Sequence, residues 1–339
     1  MNRTRRQKQR TYMMRRILFG LILLAIVALI PALVGFKRET PVQPIEEEPI
    51  AVEVSQGPTF PDIPIPDWRL DIIEPVDDAL MPVGAMTFVN LTDGVILLDK
   101  NGEDRVYPAS TTKLMTALLA YEQASLAGEL DNVLIEIKPS TLDIPWDSHI
   151  AHLAVGDKLS VRQALYATLL ESGNDAANAL AEYVSGSTSA FVELMNERVD
   201  TLGLTGTHFM NAHGYTDPDH YTTAHDMAKI AYVFGQYPEL IEIAGTYEYE
   251  ALFSDKDGNG KRRWWYHLGS AVNERSIHYS DLVTATKTGY TDESGYTMVF
   301  LMEEADKQYA LVTMRAKSGQ TFPTMRAVEQ IIFGRSIEE

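Results

Sequence analysis

The chain has 339 residues, no cysteine and a formal net charge of −18. That length allows one large domain or two smaller ones, and the lack of cysteine excludes disulfides, thiol catalysis and cysteine-ligated zinc or iron–sulfur sites. The first 38 residues hold nine Lys and Arg and no Asp or Glu, leaving 20 basic against 47 acidic residues in the rest; so acidic a body repels phosphates and speaks against a nucleic-acid partner.

Residues 1–16 form a basic head, with Arg3, Arg5, Arg6, Lys8, Arg10, Arg15 and Arg16. Residues 17–36 (ILFGLILLAIVALIPALVGF) are uncharged and strongly apolar. At about 1.5 Å per residue, a helix of this length spans a hydrocarbon core of about 30 Å. The basic excess before it, against only Lys37 and Arg38 after it, predicts a single-pass anchor with the head in the cytoplasm and the acidic bulk outside. A cleaved signal peptide is the competing reading. The run is long for one, and no A-x-A site follows it. Residues 37–78 are rich in Pro and Glu and read as an extended tether. Ile63, Ile65, Trp68 and Leu70 are available to pack onto the body and order the distal part of that tether.

The folded body is expected over 79–339. Residues 85–90 (AMTFVN) and 95–99 (VILLD) predict a strand pair joined by a turn. A helix is expected from Pro108 through Ser110 to about Glu122, with Leu114, Met115, Leu118 and Leu119 on its apolar face. Residues 161–170 and 174–184 predict helices broken at Ser172–Gly173. Residues 189–202, stopped by Gly203, and residues 223–235 predict two more. Residues 281–288, 295–302 and 308–316 alternate as strands, and 322–333 closes as a helix. Strands at both ends with helices between them predict an α+β body whose terminal strands share one sheet.

Three short motifs carry chemistry. In Ser110-Thr111-Thr112-Lys113, residues three apart share a helix face, so the hydroxyl and the amine can meet. The helix N-terminus favours a developing alkoxide. A lysine serves as base only if burial or a nearby cation lowers its pKa. The bland reading is a first-turn serine beside an exposed lysine, and the motif alone does not separate the two. In Ser172-Gly173-Asn174, a polar break between apolar helices can project two side chains into a cleft; a plain break with an N-cap fits equally well. In Lys287-Thr288-Gly289, the lysine and threonine offer a charge and a hydroxyl to a substrate carboxylate, and Gly289 leaves room for a substrate backbone. The alternative there is a strand end turning into a loop.

Together the motifs occur in the order S-x-x-K, S-x-N, K-T-G, the set of penicillin-binding serine enzymes and serine β-lactamases. The wording around them (PASTTKLMTALLAYE, LLESGNDAANALAE, NAHGYTDPDHYTTAHDMAKIA and KTGYTDESGY) resembles the low-molecular-weight D-alanyl-D-alanine carboxypeptidases, peptidase family S11, over about Ala79 to Gly334. The resemblance implies a β-lactamase/transpeptidase-like fold: an antiparallel sheet with flanking helices and an all-helical insert, the site lying between the two parts. It implies Ser110 as the acylated nucleophile, Lys113 as its base and Ser172 as proton donor to the leaving group. Asn174 would orient the substrate, and Lys287 and Thr288 would hold its terminal carboxylate. The Ser110 and Tyr290 backbone N–H groups would form the oxyanion hole. The implied substrates are peptidoglycan stem peptides ending in D-Ala-D-Ala, with β-lactam antibiotics as inhibitors and no cofactor.

The sequence departs from related patterns in places. The middle of the second motif is Gly173 where class A β-lactamases have aspartate, and Glu171 precedes that motif rather than following the first, which argues against efficient β-lactam hydrolysis. Many family members carry a C-terminal β domain; here the N-terminal anchor is expected to replace that arrangement. KRRWWYHLGSAVNERSIHYSDL, before the third motif, matches the family poorly. Residues Asp255–Gly260 copy half an EF-hand loop, but Tyr266 stands where a bidentate glutamate is needed, so a hairpin turn is expected. His208, His213, His220 and His225 cluster without ligand spacing, and no metal is expected. Two alternatives stay open: a catalytically weak, membrane-tethered peptidoglycan-binding protein, or a D,D-endopeptidase or β-lactamase on the same fold.

Overall fold

The computed structural model describes residues 60–335. The basic head, the apolar run 17–36 and the tether as far as residue 59 lie outside the described residues, as do residues 336–339. No helix among the described residues is long and apolar enough to cross a membrane.

The main sheet has six strands in the order β1-β3-β2-β10-β9-β8. These are β1 (Arg69–Leu70), β2 (Ala85–Asn90), β3 (Val95–Lys100), β8 (Val283–Thr291), β9 (Gly295–Glu304) and β10 (Lys307–Ala316). Strands from the two ends of the chain meet where β10 pairs antiparallel with β2, Leu311 opposite Phe88. β2 and the middle of β10 are buried throughout, because both faces of the sheet are covered. Period-two alternation splits their side chains between two cores. Ala85, Val89, Ala310, Val312 and Met314 join the larger core on the side of helix α5 (Ala224–Gly235). Met86, Phe88, Leu311 and Phe300 join the smaller one, with Met325 and Val328 of helix α7 (Thr321–Phe333).

The segment 60–70 is part of this body. Phe60, Ile63, Ile65 and Trp68 pack against the larger core, and β1 pairs parallel with β3, Leu70 opposite Ile96. That parallel pair makes the sheet mixed rather than purely antiparallel. Leu70 itself is 66% exposed, so it does not pack inward as expected.

Between β3 and β8 lies the insert, and it is not all-helical. Helices α1 (Lys113–Ala127), α2 (Val161–Leu169), α3 (Asn174–Ser185), α4 (Thr188–Thr201), α5 and α6 (Pro238–Gly245) are joined by a second sheet. That sheet has the order β4-β5-β6-β7, from Leu134–Glu136, Lys158–Ser160, Glu248–Ser254 and Gly260–Tyr266. Asp255–Gly260 is the turn joining β6 to β7: Asp255 Oδ1 accepts from the backbone N–H groups of Asp257 (2.9 Å) and Asn259 (2.8 Å). Helix α2 starts on a reciprocal capping box between Ser160 and Gln163. The break between α2 and α3 leaves Ser172 in the left-handed region, at φ +58°.

Candidate active site

Ser110 does not sit in an α-helix as expected but in a 3₁₀ turn, Ala109–Thr112, that leads into α1. Residues i and i+3 eclipse in such a turn, so the contact survives: Lys113 Nζ lies 2.9 Å from Ser110 Oγ. The turn is strained and clamped. Ala109 has φ +48°, a conformation that costs a non-glycine residue on the order of 1 kcal/mol or more. The Pro108 carbonyl accepts from Thr111 Oγ1 (2.6 Å) and from Thr297 Oγ1 of β9 (3.0 Å). Two glycines let the surrounding backbone close on this turn. Gly214 has φ +89°, and a Cβ there would run into the Ala109 carbonyl. A Cβ on Gly289 would strike Thr297 Oγ1 and lie 2.9 Å from the Ser110 nitrogen. On its Cβ side, Gly289 thus makes room for the Ser110 turn.

Lys113 is fully buried. Its Nζ reaches three oxygens: Ser110 Oγ, Asn174 Oδ1 at 2.8 Å and the His213 carbonyl at 2.7 Å. Burial pushes its pKa well below the usual lysine value, and the charge of Lys287 pushes it further down. Asp175 acts the other way. Two of the three oxygens are carbonyls, which only accept, so a neutral amine spends its two N–H bonds on them. Its lone pair is then left facing the one partner able to donate, the Ser110 hydroxyl. That is the arrangement a base requires.

The second motif reaches the same point from the insert. Asn174 opens α3 at 5% exposure, and its backbone N–H donates to the His149 carbonyl at 2.9 Å. Asp175, at 0% exposure, fixes the neighbouring 149–153 segment by accepting from the backbone N–H groups of Ala151 (2.8 Å) and Leu153 (3.0 Å). A Cβ on Gly173 would come within 2.8 Å of the Ala151 nitrogen and Cβ. The packing of that segment explains why glycine stands in the middle of the motif. Glu171 turns elsewhere, accepting from the Tyr266 N–H at 3.3 Å and lying 3.5 Å from His149 Nε2.

Lys287 completes the set from β8. It is 1% exposed and donates to Ser172 Oγ (2.9 Å) and to the Thr288 carbonyl (3.0 Å). Burial lowers its pKa to about 7. Ser172 Oγ accepts from Lys287, so its own proton is free to donate onward. Thr288 is half-buried on the same strand. Tyr290 is 53% exposed, and its hydroxyl donates to Asp292 Oδ1 at 2.7 Å. Ser110, Asn174, His213, Gly214 and Tyr290 line one cleft of about 390 Å³.

The structure thus links Ser110, Lys113 and Asn174 in one hydrogen-bonded group and Ser172 and Lys287 in another. The resemblance placed the stretch Asn211–Tyr215 near the cleft without giving His213 and Gly214 a role, and sequence reasoning missed the contributions of Asp175 and Thr297. His213 and Gly214 act through a backbone carbonyl and a missing Cβ, which residue type does not announce. The four clustered histidines have separate partners. Burial holds His213 and His220 neutral, each with its pKa lowered to about 3. His220 Nδ1 accepts from the Met210 N–H (3.1 Å), so its Nε2–H donates to Thr112 Oγ1 (2.8 Å). His208 meets the Asp219 carbonyl and His225 meets Asp99, each at 2.7 Å.

A family model described as D-alanyl-D-alanine carboxypeptidase matches residues 78–318. The chain is 33% identical over 243 residues to the D-alanyl-D-alanine carboxypeptidase DacF of Bacillus subtilis (strain 168), a match covering 72% of this chain and 55% of that protein. It is 34% identical over 233 residues to the D-alanyl-D-alanine carboxypeptidase of Streptomyces sp. (strain K15), covering 66% of this chain and 77% of that one. The crystal structure of the Streptomyces K15 DD-transpeptidase superposes with a TM-score of 0.69 at 28% identity, covering 75% of this chain and 97% of that chain. The match spans about half the length of several curated relatives, including DacF and the DacA protein of Escherichia coli (strain K12). With the first two motifs meeting at one cleft, Lys287 of the third bonded to Ser172 of the second, and the family model matched over most of the folded body, the chain belongs to the D-alanyl-D-alanine carboxypeptidase family.

Proposed function

We propose that this chain is a serine-type D-alanyl-D-alanine carboxypeptidase that removes the terminal D-alanine from peptidoglycan stem peptides. The observation that carries this reading is the fully buried Lys113, held between Ser110 Oγ and two carbonyl oxygens with its pKa pushed down.

Ser110 Oγ attacks the carbonyl carbon of the D-Ala-D-Ala peptide bond and gives its proton to Lys113 Nζ. The oxyanion forms against the Ser110 and Tyr290 backbone N–H groups. Ser172, supported by Lys287, donates its proton to the leaving nitrogen as the C–N bond breaks. Lys287 then regains a neutral neighbour by passing a proton to Ser172. D-alanine departs and leaves an ester on Ser110. Lys113 returns the proton it took from Ser110 to the now neutral Lys287 by way of solvent in the cleft. Water then attacks the ester and gives a proton to Lys113, which passes it to Ser110 Oγ as the ester C–O bond breaks, and the peptide leaves as a free acid that ionises to the carboxylate. Lys287 and Thr288 face the substrate's terminal carboxylate, and Asn174 Nδ2 takes a substrate carbonyl. β-Lactams would enter the same first step and stop at the ester.

The relatives support the reaction by name, and the apolar run 17–36 with its basic flank supports a membrane-anchored enzyme working outside the cell. The direct test is D-alanine release from a peptide ending in D-Ala-D-Ala. Release by the wild type and none by Ser110→Ala is expected; release by neither would leave a peptidoglycan-binding protein. Turnover of cross-linked wall fragments or of nitrocefin at a rate above D-alanine release would favour an endopeptidase or a β-lactamase. Alkaline extraction of membranes tests the anchor: the full chain should stay with the lipid, and its appearance in the wash would contradict that part.

A further inference from the structure

Where the chain leaves β7 it touches both halves of the proton-donating pair, Ser172 and Lys287. Successive N–H groups of an extended chain point to opposite edges. The Tyr266 N–H donates to Glu171 Oε2 (3.3 Å) and the Leu268 N–H to the Leu170 carbonyl (3.3 Å). Leu170 and Glu171 directly precede Ser172. Between them, the His267 N–H turns back to the Tyr247 carbonyl (2.7 Å). The His267 side chain reaches across to β8, where its Nε2 lies 3.1 Å from the Thr286 carbonyl, one residue before Lys287.

His267 is 5% exposed, and both ring nitrogens are engaged. Nδ1 accepts from the Gly269 N–H at 2.7 Å, so the ring proton stands on Nε2 and is donated to the Thr286 carbonyl. Burial and the charge of Lys287 lower the pKa of the ring to about 4, which keeps it neutral and preserves this tautomer. Gly269 is needed for the fit, because a Cβ there would run into Thr286 Oγ1 and lie 2.9 Å from His267 Cε1. Residues 266–269 thus tie the backbone before Ser172 to the backbone before Lys287. The two side chains meet at 2.9 Å, and Ser172 is held at φ +58°.

We propose that His267 is a positioning residue for proton transfer to the leaving nitrogen: its Nε2–H holds β8 at Thr286 so that Lys287 meets Ser172. This rests on the carboxypeptidase reading above. His267 touches no reacting atom. It sets the distance across which Lys287 supports Ser172 as that hydroxyl gives up its proton. Without the bond to Thr286 the pair parts, and the leaving nitrogen loses its acid. A general acid contributes on the order of 10²–10⁴ in rate, and a misplacement of about 1 Å costs on the order of 100-fold.

The experiment measures kcat/KM of the full chain on two substrates: a peptide ending in D-Ala-D-Ala, and its thioester analogue with sulfur in place of the scissile nitrogen. A thiol leaves as thiolate and needs little protonation, whereas an amine needs the acid. Both substrates carry the same terminal carboxylate, so the ratio of the two values isolates the proton donor from carboxylate binding. His267→Leu should lower the amide value by roughly ten- to a hundred-fold and the thioester value by less than about three-fold. His267→Gln carries a side-chain N–H to the place of Nε2, and should restore the amide value to within about three-fold of wild type. His267→Asn reaches only the place of Nδ1 and should behave as the leucine variant does. If His267→Leu does not fold, the glutamine and asparagine variants make the same comparison. Amide and thioester values falling together, a wild-type amide value in the leucine or asparagine variant, or glutamine no better than asparagine would each overturn the proposal. No D-alanine release by the wild type would instead overturn the carboxypeptidase reading.

Discussion

Replacing Lys287 with methionine tests the electrostatics of the site through stability rather than activity. Lys287 is 1% exposed and titrates at about 7, against 10.5 for a free side chain. Between those values the unfolded chain holds a proton that the folded chain does not, so stability rises with pH across that window. The penalty is fully present below about pH 7 and disappears as the pH passes 10.5. At 1.36 kcal/mol per unit, burying this lysine costs about 4 kcal/mol at pH 7 and about 2 kcal/mol at pH 9. Lys287→Met removes that penalty. It also leaves Ser172 Oγ and the Thr288 carbonyl without their donor, a loss on the order of 1–2 kcal/mol that does not vary with pH. The pH dependence therefore isolates the ionisation. Wild type should gain about 2 kcal/mol more than Lys287→Met between pH 7 and pH 9, read from urea midpoints at unchanged m. Relief of Lys113 from its charged neighbour acts in the same direction. Equal pH slopes in the two proteins would refute the reasoning.

Acylation by penicillin should accelerate as pH rises through the depressed pKa of Lys113, because only the neutral amine accepts the Ser110 proton; stopped-flow rates against pH read the inflection. Asp175→Asn removes a charge that supports the protonated lysine, so that inflection should move to lower pH. The same substitution should cost on the order of 2 kcal/mol in a denaturant titration, since its carboxylate accepts two N–H groups from the 149–153 segment. Gly214→Ala places a Cβ against the Ala109 carbonyl at a positive φ. It should lower stability by roughly 1–3 kcal/mol and slow acylation more than ten-fold, with wild-type rates counting against the clamp on the nucleophile turn.

Much of this arrangement was legible in the sequence. The strand pair read at 85–90 and 95–99 and the alternation of 308–316 predicted strands from both chain ends, and two of them pair as β2 and β10. The family resemblance carried by the three motifs implied one site from Ser110, Lys113, Ser172, Asn174 and Lys287; the structure bonds Lys113 to Ser110 and Asn174, and Lys287 to Ser172. The insert's second sheet was missed because β4 and β5 have three residues each, too few to show a period, and because β7 reads as a basic–aromatic run. Helix α6 is eight residues long and gives a similarly weak signal. Ser110 was expected in an α-helix but lies in a 3₁₀ turn, against which Gly214, Gly289 and Thr297 pack from distant parts of the chain. Their effect is tertiary, so local spacing cannot carry it. Gly289 shows the same limit: glycine signalled a close approach, and on its Cβ side the Ser110 turn makes one.

The central claim is that Ser110 is the nucleophile, made reactive by a neutral Lys113. Its most direct test is the intact mass of the full chain after incubation with benzylpenicillin, followed by peptide mapping. One added penicillin mass, located on Ser110 and absent from Ser110→Ala, is the predicted result. No adduct on the wild type, or an equal adduct on Ser110→Ala, would contradict it.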